Sequence, residues 1–200
     1  MNIQVANLAR PHRSFWQHAG AVLSAWCKAP SQVASICPSS NALLNAIADR
    51  NCIRSARTVV DLGPGTGETT AAILEHAPPD CRVLAIEMTP EFIEPLHALA
   101  DPRLIVEHAD AVDLERILLM HKLSKPDVIV SGIPFSSLPV QTAQSIMKSI
   151  QRHLADDGTF IAYQLRGHVE RYAESEFGGY QSKRWVFWNL PPLRIYSWKK

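Results

Sequence analysis

The sequence predicts an α/β fold, a mostly parallel seven-stranded sheet covered by helices and closed by an antiparallel hairpin. Three observations lead there. From residue 58 onward, short β-branched runs alternate with stretches whose apolar residues recur at three- and four-residue spacing, the pattern of strands joined by covering helices. The first run, Val59-Val60-Asp61-Leu62, leads into Gly63-Pro64-Gly65-Thr66-Gly67, where glycine lets the chain turn sharply and leaves the backbone bare to a bulky ligand. Near the end, two aromatic-rich runs are joined by Leu190-Pro191-Pro192. That link is too short for a parallel crossover, so the two runs form a hairpin.

Each element has its own warrant. Ile36-Cys37-Pro38-Ser39-Ser40 precedes an apolar helical stretch, and Ser39 or Ser40 suits its N-cap. Strands are expected at 58–62, 82–87, 103–107, 127–131 and 159–164, each bounded by polar or small residues. Covering helices are expected at 68–76, 90–100, 114–121 and 140–154. The hairpin strands are expected at 184–189 and 193–198. Ligands in such sheets bind beyond the carboxyl ends of the strands, so the residues there carry the function.

Composition narrows the classes. Two hundred residues with 46% apolar content suit a single core. The expected division is an N-terminal helical segment at 1–50 and a ligand-binding domain at 51–200. A net charge of +1 lacks the basic excess that nucleic-acid binding needs, so nucleic acid is a disfavoured partner. Cys27, Cys37, Cys52 and Cys81 have no paired short spacing, so neither a metal site nor a disulfide framework is indicated. No segment reaches about 18 uninterrupted apolar residues, and no signal peptide is evident; a cytoplasmic location is expected.

The glycine spacing departs from the dinucleotide fingerprint, whose third glycine falls one position later, and no Gly-Lys-Ser or Gly-Lys-Thr follows. Glu68 comes next, which repels phosphate and tolerates an amine or sulfonium. Asp61-Leu62-Gly63-Pro64-Gly65-Thr66-Gly67 resembles motif I of the class I S-adenosylmethionine-dependent methyltransferases, whose Rossmann-like sheet ends in an antiparallel hairpin. A glycine-rich turn that only connects two elements is the alternative. The resemblance implies S-adenosyl-L-methionine as cofactor. It implies that Glu87, with Met88 beside it, accepts from the ribose hydroxyls, and that Asp110 and Ala111 hold the adenine. Plain helix caps are the alternatives for Glu87 and Asp110.

Three further segments, Pro38-Ser39-Ser40, Ser131-Gly132-Ile133-Pro134 and Asn189-Leu190-Pro191-Pro192, resemble those of the small bacterial phospholipid N-methyltransferases. That likeness covers most of the chain. It departs at Ala162-Tyr163-Gln164-Leu165-Arg166, where the family has a Gln-Phe-Thr-Tyr-like run. It implies transfer to phosphatidylethanolamine and its partly methylated derivatives. Ser39, Ser40, Ile133, Pro134 and Phe135 would meet the substrate, with Ser131 also beside the cofactor. The attacking amine must shed a proton, for which Tyr163 is the leading candidate, followed by His168, Glu170 or water relayed past Ser131. Phe135 could stabilise the methylated nitrogen by cation-π attraction. A soluble small-molecule methyltransferase and a non-catalytic cofactor-binding protein are the competing functions.

The first 48 residues contain no Asp or Glu, while Arg10, Arg13 and Lys28 supply positive charge. Phe15, Ala19, Val22, Leu23 and Trp26 recur at helical spacing. Residues 10–28 thus read as a helix for peripheral contact with the inner membrane face, the three cations adding roughly 3 kcal/mol at an anionic surface. A lid closing over the cofactor has the same pattern.

Overall fold

The computed structural model describes residues 39–189 and 192–200. The strands are β1 (Thr58–Leu62), β2 (Arg82–Glu87), β3 (Leu104–His108), β4 (Val128–Ser131), β5 (Thr159–Gln164), β6 (Ser182–Val186) and β7 (Leu193–Lys199). The helices are α1 (Asn41–Ala48), α2 (Asn51–Arg54), α3 (Glu68–His76), α4 (Ile93–His97), α5 (Leu114–Met120), α6 (Val140–His153) and α7 (His168–Phe177). All seven strands form one sheet in the order β3-β2-β1-β4-β5-β7-β6. The first five are parallel, and β7 runs antiparallel to both β5 and β6.

Burial explains the order. β1 and β4 are buried at every position, as expected of central strands covered on both faces. β6 is an edge, and its Lys183 and Arg184 side chains discourage further strand pairing. One face packs against α5, α6 and α7 through Ile117, Ile146, Met147, Phe160 and Trp198. The other packs against α1 and α3 through Leu43, Ile47, Val59, Ile73 and Ile161. Each fully buried Leu or Ile contributes about 1.5–3 kcal/mol, so the short α1 is held by Leu43 and Ile47 more than by its own helical propensity. Ser40 caps that helix, accepting from the Leu43 N–H at 3.2 Å.

Two expected elements differ in form or place from those observed. The helix expected at 90–100 is a 3-10 turn, Pro90–Phe92, followed by α4. Pro95 is the reason: it has no N–H to donate and crowds the carbonyl four residues back, so it is tolerated only within a helix's first turn. The hairpin strand expected at 184–189 lies at Ser182–Val186, and Phe187 and Trp188 belong to a turn. Backbone pairing with β7 places β6 there, and it needs no apolar side chain at Ser182 or Lys183. α7 was not anticipated. Only Val169 and Ala173 of its ten residues are buried, too few to mark a helical stripe. Residues 10–28, Pro38, Leu190 and Pro191 lie outside the described residues.

Candidate active site

A cavity of about 310 Å³ opens at the carboxyl ends of the parallel strands, where the strand order reverses on either side of β1. The turn after β1 forms its floor. Gly63, Gly65 and Gly67 have φ of +68°, +61° and +93°, a region that side chains other than hydrogen enter at a cost. A Cβ on Gly63 would lie 3.1 Å from Ile133 Cγ1, and one on Gly67 would lie 3.0 Å from Leu96 Cδ2. A Cβ on Gly65 would meet no protein atom within 4 Å. The bare backbone of Gly65 therefore faces the cavity itself.

Glu87 ends β2, 6% exposed. It braces the turn, its Oε2 accepting from the Gly65 N–H at 2.9 Å and its Oε1 from the Thr89 N–H at 2.8 Å. Each oxygen keeps acceptor capacity, and the residue lines the cavity with Met88 beside it. Asp61 lies fully buried beneath, its Oδ2 accepting from Thr70 Oγ1 at 2.8 Å and its Oδ1 lacking a protein partner. Burial pushes its pKa up to about 7; the Thr70 bond opposes this and the Glu87 charge adds to it. Glu68 accepts from Thr66 Oγ1 at 2.5 Å through Oε2, while its buried Oε1 has no partner. Asp110 caps the 3-10 turn Ala111–Asp113 by accepting from the Val112 N–H at 3.0 Å. It is a helix cap and a cavity wall at once, and Ala111 lines the cavity next to it.

The opposite wall comes from the ends of β4, β5 and β7. The backbone after β4 is fixed at both ends. Ser131 Oγ accepts from the Ile133 N–H at 3.3 Å, and the Ile133 carbonyl accepts from the Phe135 N–H at 2.9 Å and from Gln164 Nε2 at 2.7 Å. Those two bonds fill the carbonyl's lone pairs. Gly132 sits in the tightest place, since a Cβ there would overlap Tyr163 Oη and lie 2.7 Å from the Gly63 carbonyl oxygen. The Tyr163 hydroxyl accepts from Thr69 Oγ1 at 3.3 Å. Burial first, and then the Asp61 charge, hold the Tyr163 pKa far above its ordinary value, with Thr69 opposing. At neutral pH this phenol keeps its proton.

Ser39, Gly63, Gly65, Thr66, Glu87, Met88, Asp110, Ala111, Ile133, Pro134 and Tyr163 thus come together around one cavity. Other expected site residues stand behind it. Ser131 is fully buried and serves the loop, and Phe135, 1% exposed, packs against Tyr172 with ring centroids 6.2 Å apart. No aromatic face of Phe135 is presented to a ligand. Ser40 caps α1 and donates its backbone N–H to Asn189 Oδ1 at 2.9 Å, tying the segment before α1 to the closing hairpin. Asp61 and Gly67 support the turn from below. Glu170 is paired with Lys183 at 3.0 Å, and neither it nor His168 lines the cavity. Thr142, Ile146 and Leu193 also line the cavity, and none of them stands out as a site residue in the sequence. Thr142 and Ile146, one helical turn apart on α6, were the pair that spacing could have revealed.

The cavity has two halves. The β1–β3 side carries the carboxylates, Glu68, Glu87 and Asp110; the β4–β7 side carries none and is largely apolar, with Ile133, Pro134, Leu138, Pro139, Ile146, Leu165 and Leu193 beside the hydroxyls of Ser137, Thr142 and Tyr163. Among the described residues no Lys, Arg or His lines it. Such a field attracts a cationic ligand with hydroxyl groups and repels a pyrophosphate. The apolar half suits a second molecule with an apolar body. Among the described residues no helix is long and apolar enough to cross a membrane.

Known proteins resemble this chain in both sequence and fold. Residues 60–160 match a family model described as a methyltransferase domain. Ornithine lipid N-methyltransferase of Singulisphaera acidiphila is 34% identical over 140 residues, which span 69% of this chain and 73% of that protein. The N-methyltransferase NodS of Bradyrhizobium japonicum superposes with a TM-score of 0.62 at 12% identity, over 78% of this chain and 92% of that one. The precorrin-6y C5,15-methyltransferase of Geobacter metallireducens gives 0.60 at 16% identity, over 79% and 88%. At such identities these two structures speak for the fold alone.

Proposed function

The chain belongs to the class I S-adenosylmethionine-dependent methyltransferases and is related to the lipid N-methyltransferases, and from that premise we propose that it methylates the amine of phosphatidylethanolamine and of its partly methylated derivatives. The observation that carries the reading is the divided cavity, one half acidic and, among the described residues, without a cationic side chain, the other half largely apolar.

The residues of the acidic half fit the donor. Glu68 lines the cavity and its buried Oε1 is an acceptor without a protein partner, in keeping with a ligand that brings an ammonium. In this reading the bare backbone at Gly65 and the Thr66 and Glu68 side chains take the methionine part, Glu87 and Met88 the ribose, and Asp110 with Ala111 the adenine; Asp61, Gly63 and Gly67 shape the turn. Bound there, S-adenosylmethionine supplies a methyl group already activated by its sulfonium. What remains for the protein is alignment and the exclusion of water.

On the apolar half, Ile133, Pro134 and Ser39 border the acceptor, while Ser131, Phe135 and Ser40 hold that border in place. Tyr163, protonated at neutral pH, orients the amine through its hydroxyl oxygen and leaves the departing proton to water. Of the expected segment 1–50, α1 packs into the core, so the roles of lid and of peripheral contact with the membrane fall to the residues before it, through residues 10–28. The relative's acceptor supplies a second reading, in which the amine belongs to an ornithine lipid.

The test is to incubate the purified chain with methyl-labelled S-adenosylmethionine and vesicles of either lipid. Label in phosphatidylethanolamine products supports the first reading, and label confined to ornithine lipid replaces it with the second. Label in neither, but in a soluble amine, removes the lipid assignment.

A further inference from the structure

The end of the hairpin is chemically unlike the rest of the surface. Residues 177–200 contain no Asp or Glu; of their cations, Arg184 and Arg194 lie near the tip, whereas Lys199 and Lys200 lie at the far end of β7, beside the start of β5. In the turn after β6, Phe187 is 70% and Trp188 87% exposed, although Val186 and Leu193 just inside them are buried. Phe187 stacks on Trp185 with ring centroids 5.6 Å apart, and the Arg194 guanidinium lies 4.2 Å from the Trp185 ring. Arg194 Nε is buried without a hydrogen-bond partner. Lys183 is engaged by Glu170, and Arg184 on β6 and Arg194 on β7 flank the tip.

The tip also sits beside the cavity. Val186 is in register with Leu193, which lines the apolar half, and Phe187 and Trp188 continue beyond that pair. Leu165, 43% exposed at the end of β5, lines the same half.

We propose that the β6–β7 tip is a membrane-docking element. Phe187 and Trp188 enter an anionic bilayer at headgroup depth, Arg184 and Arg194 face its phosphates, and the apolar half of the cavity is held against the surface from which an aminolipid comes. Indole suits that depth because it has an apolar body and an N–H that can stay wet. Charge complementarity favours a bilayer: an acid-free, cationic segment with protruding aromatics meets a negative surface. A stable protein partner would need about 1,000 Å² of complementary surface, which a narrow turn does not offer. The proposal rests on the lipid-acceptor reading above.

Its test uses the full chain and vesicles of phosphatidylglycerol and phosphatidylethanolamine. Two variants are needed, the double substitution Phe187→Ser with Trp188→Ser, and the conservative Trp188→Phe, both checked for an unchanged thermal midpoint. The double variant is expected to lose vesicle partition by about tenfold or more. Its turnover on vesicle lipid falls in step, while turnover on a short-chain phosphatidylethanolamine dispersed as monomers stays at the wild-type rate. Trp188→Phe keeps partition but loses part of the fluorescence quenching caused by brominated acyl chains.

Wild-type partition of the double variant overturns the proposal. So does undiminished quenching in Trp188→Phe, which moves insertion to another tryptophan such as Trp16 or Trp26. Trp188 emission already characteristic of burial without vesicles also overturns it, because the tip is then covered by residues 1–38 or by a second copy. If the wild type methylates neither vesicle nor monomeric aminolipid, the acceptor reading fails by itself, while sedimentation still decides whether the tip docks.

Discussion

Asp61 has the least comfortable environment of any described carboxylate, buried with one oxygen unpartnered. Its folded pKa of about 7 lies above the ordinary 3.8, so the folded state holds the proton more tightly than the unfolded chain does. The stability it contributes is full below about pH 4 and is lost as pH rises from there through about 7. The whole effect is about 4 kcal/mol as an upper estimate. Denaturant titrations of the ligand-free protein should therefore show stability falling from pH 5 to pH 8. Asp61→Asn should remove most of that slope and raise stability at pH 8; a slope unchanged in the variant would place its origin elsewhere. The glycines of the turn were legible in the sequence because φ near +60° to +90° calls for that residue type. Ser131 and Phe135 were not. Whether a side chain at a strand's end faces the ligand or the core is settled by the twist of the sheet and the packing of α7, neither of which the local sequence states.

At the scale of elements, the loop after β4 is set by a residue of the neighbouring strand. Gln164, 3% exposed, fills the second lone pair of the Ile133 carbonyl and so fixes the acceptor border without touching the donor half. Gln164→Met keeps the volume and removes the bond. Expected is a fall in turnover of about tenfold, at one lost buried hydrogen bond, with the dissociation constant for S-adenosylmethionine unchanged. Calorimetry and initial rates on the same preparation check both parts, and an equal loss of donor affinity would assign Gln164 to the scaffold as a whole. The parallel strands and most helices could be read from periodicity because burial on both faces demands apolar runs. α7 and the offset of β6 could not, since α7 buries two side chains and β6 is placed by its pairing. Aromatics usually signal a strand, yet Phe187 and Trp188 lie in a turn and face solvent, a departure with a purpose if the tip docks on a bilayer.

The molecule as a whole is a sheet with a divided cavity at its switch point. Carboxylates from the ends of β2 and β3 and the start of α3 stand on one side of β1, and apolar groups around β4, β5 and β7 on the other. The donor half follows from a short motif and its spacing, which is why it was legible early. The acceptor half is assembled from segments far apart in sequence, as the bond between Ser40 and Asn189 illustrates, and only likeness to relatives hinted at it. The net charge of +1 conceals this arrangement, because the acid of the cavity and the acid-free hairpin offset each other. The central claim, methyl transfer to the amine of a membrane lipid, is tested most directly by expressing the chain in a host that makes phosphatidylethanolamine but no methylated lipid, and weighing the lipids by mass spectrometry. The account predicts new phosphatidylethanolamine species heavier by one, two or three methyl groups on the headgroup, absent when Gly65 is replaced by Val. A lipid profile identical to that of the empty host, from a chain shown to bind S-adenosylmethionine, would contradict it.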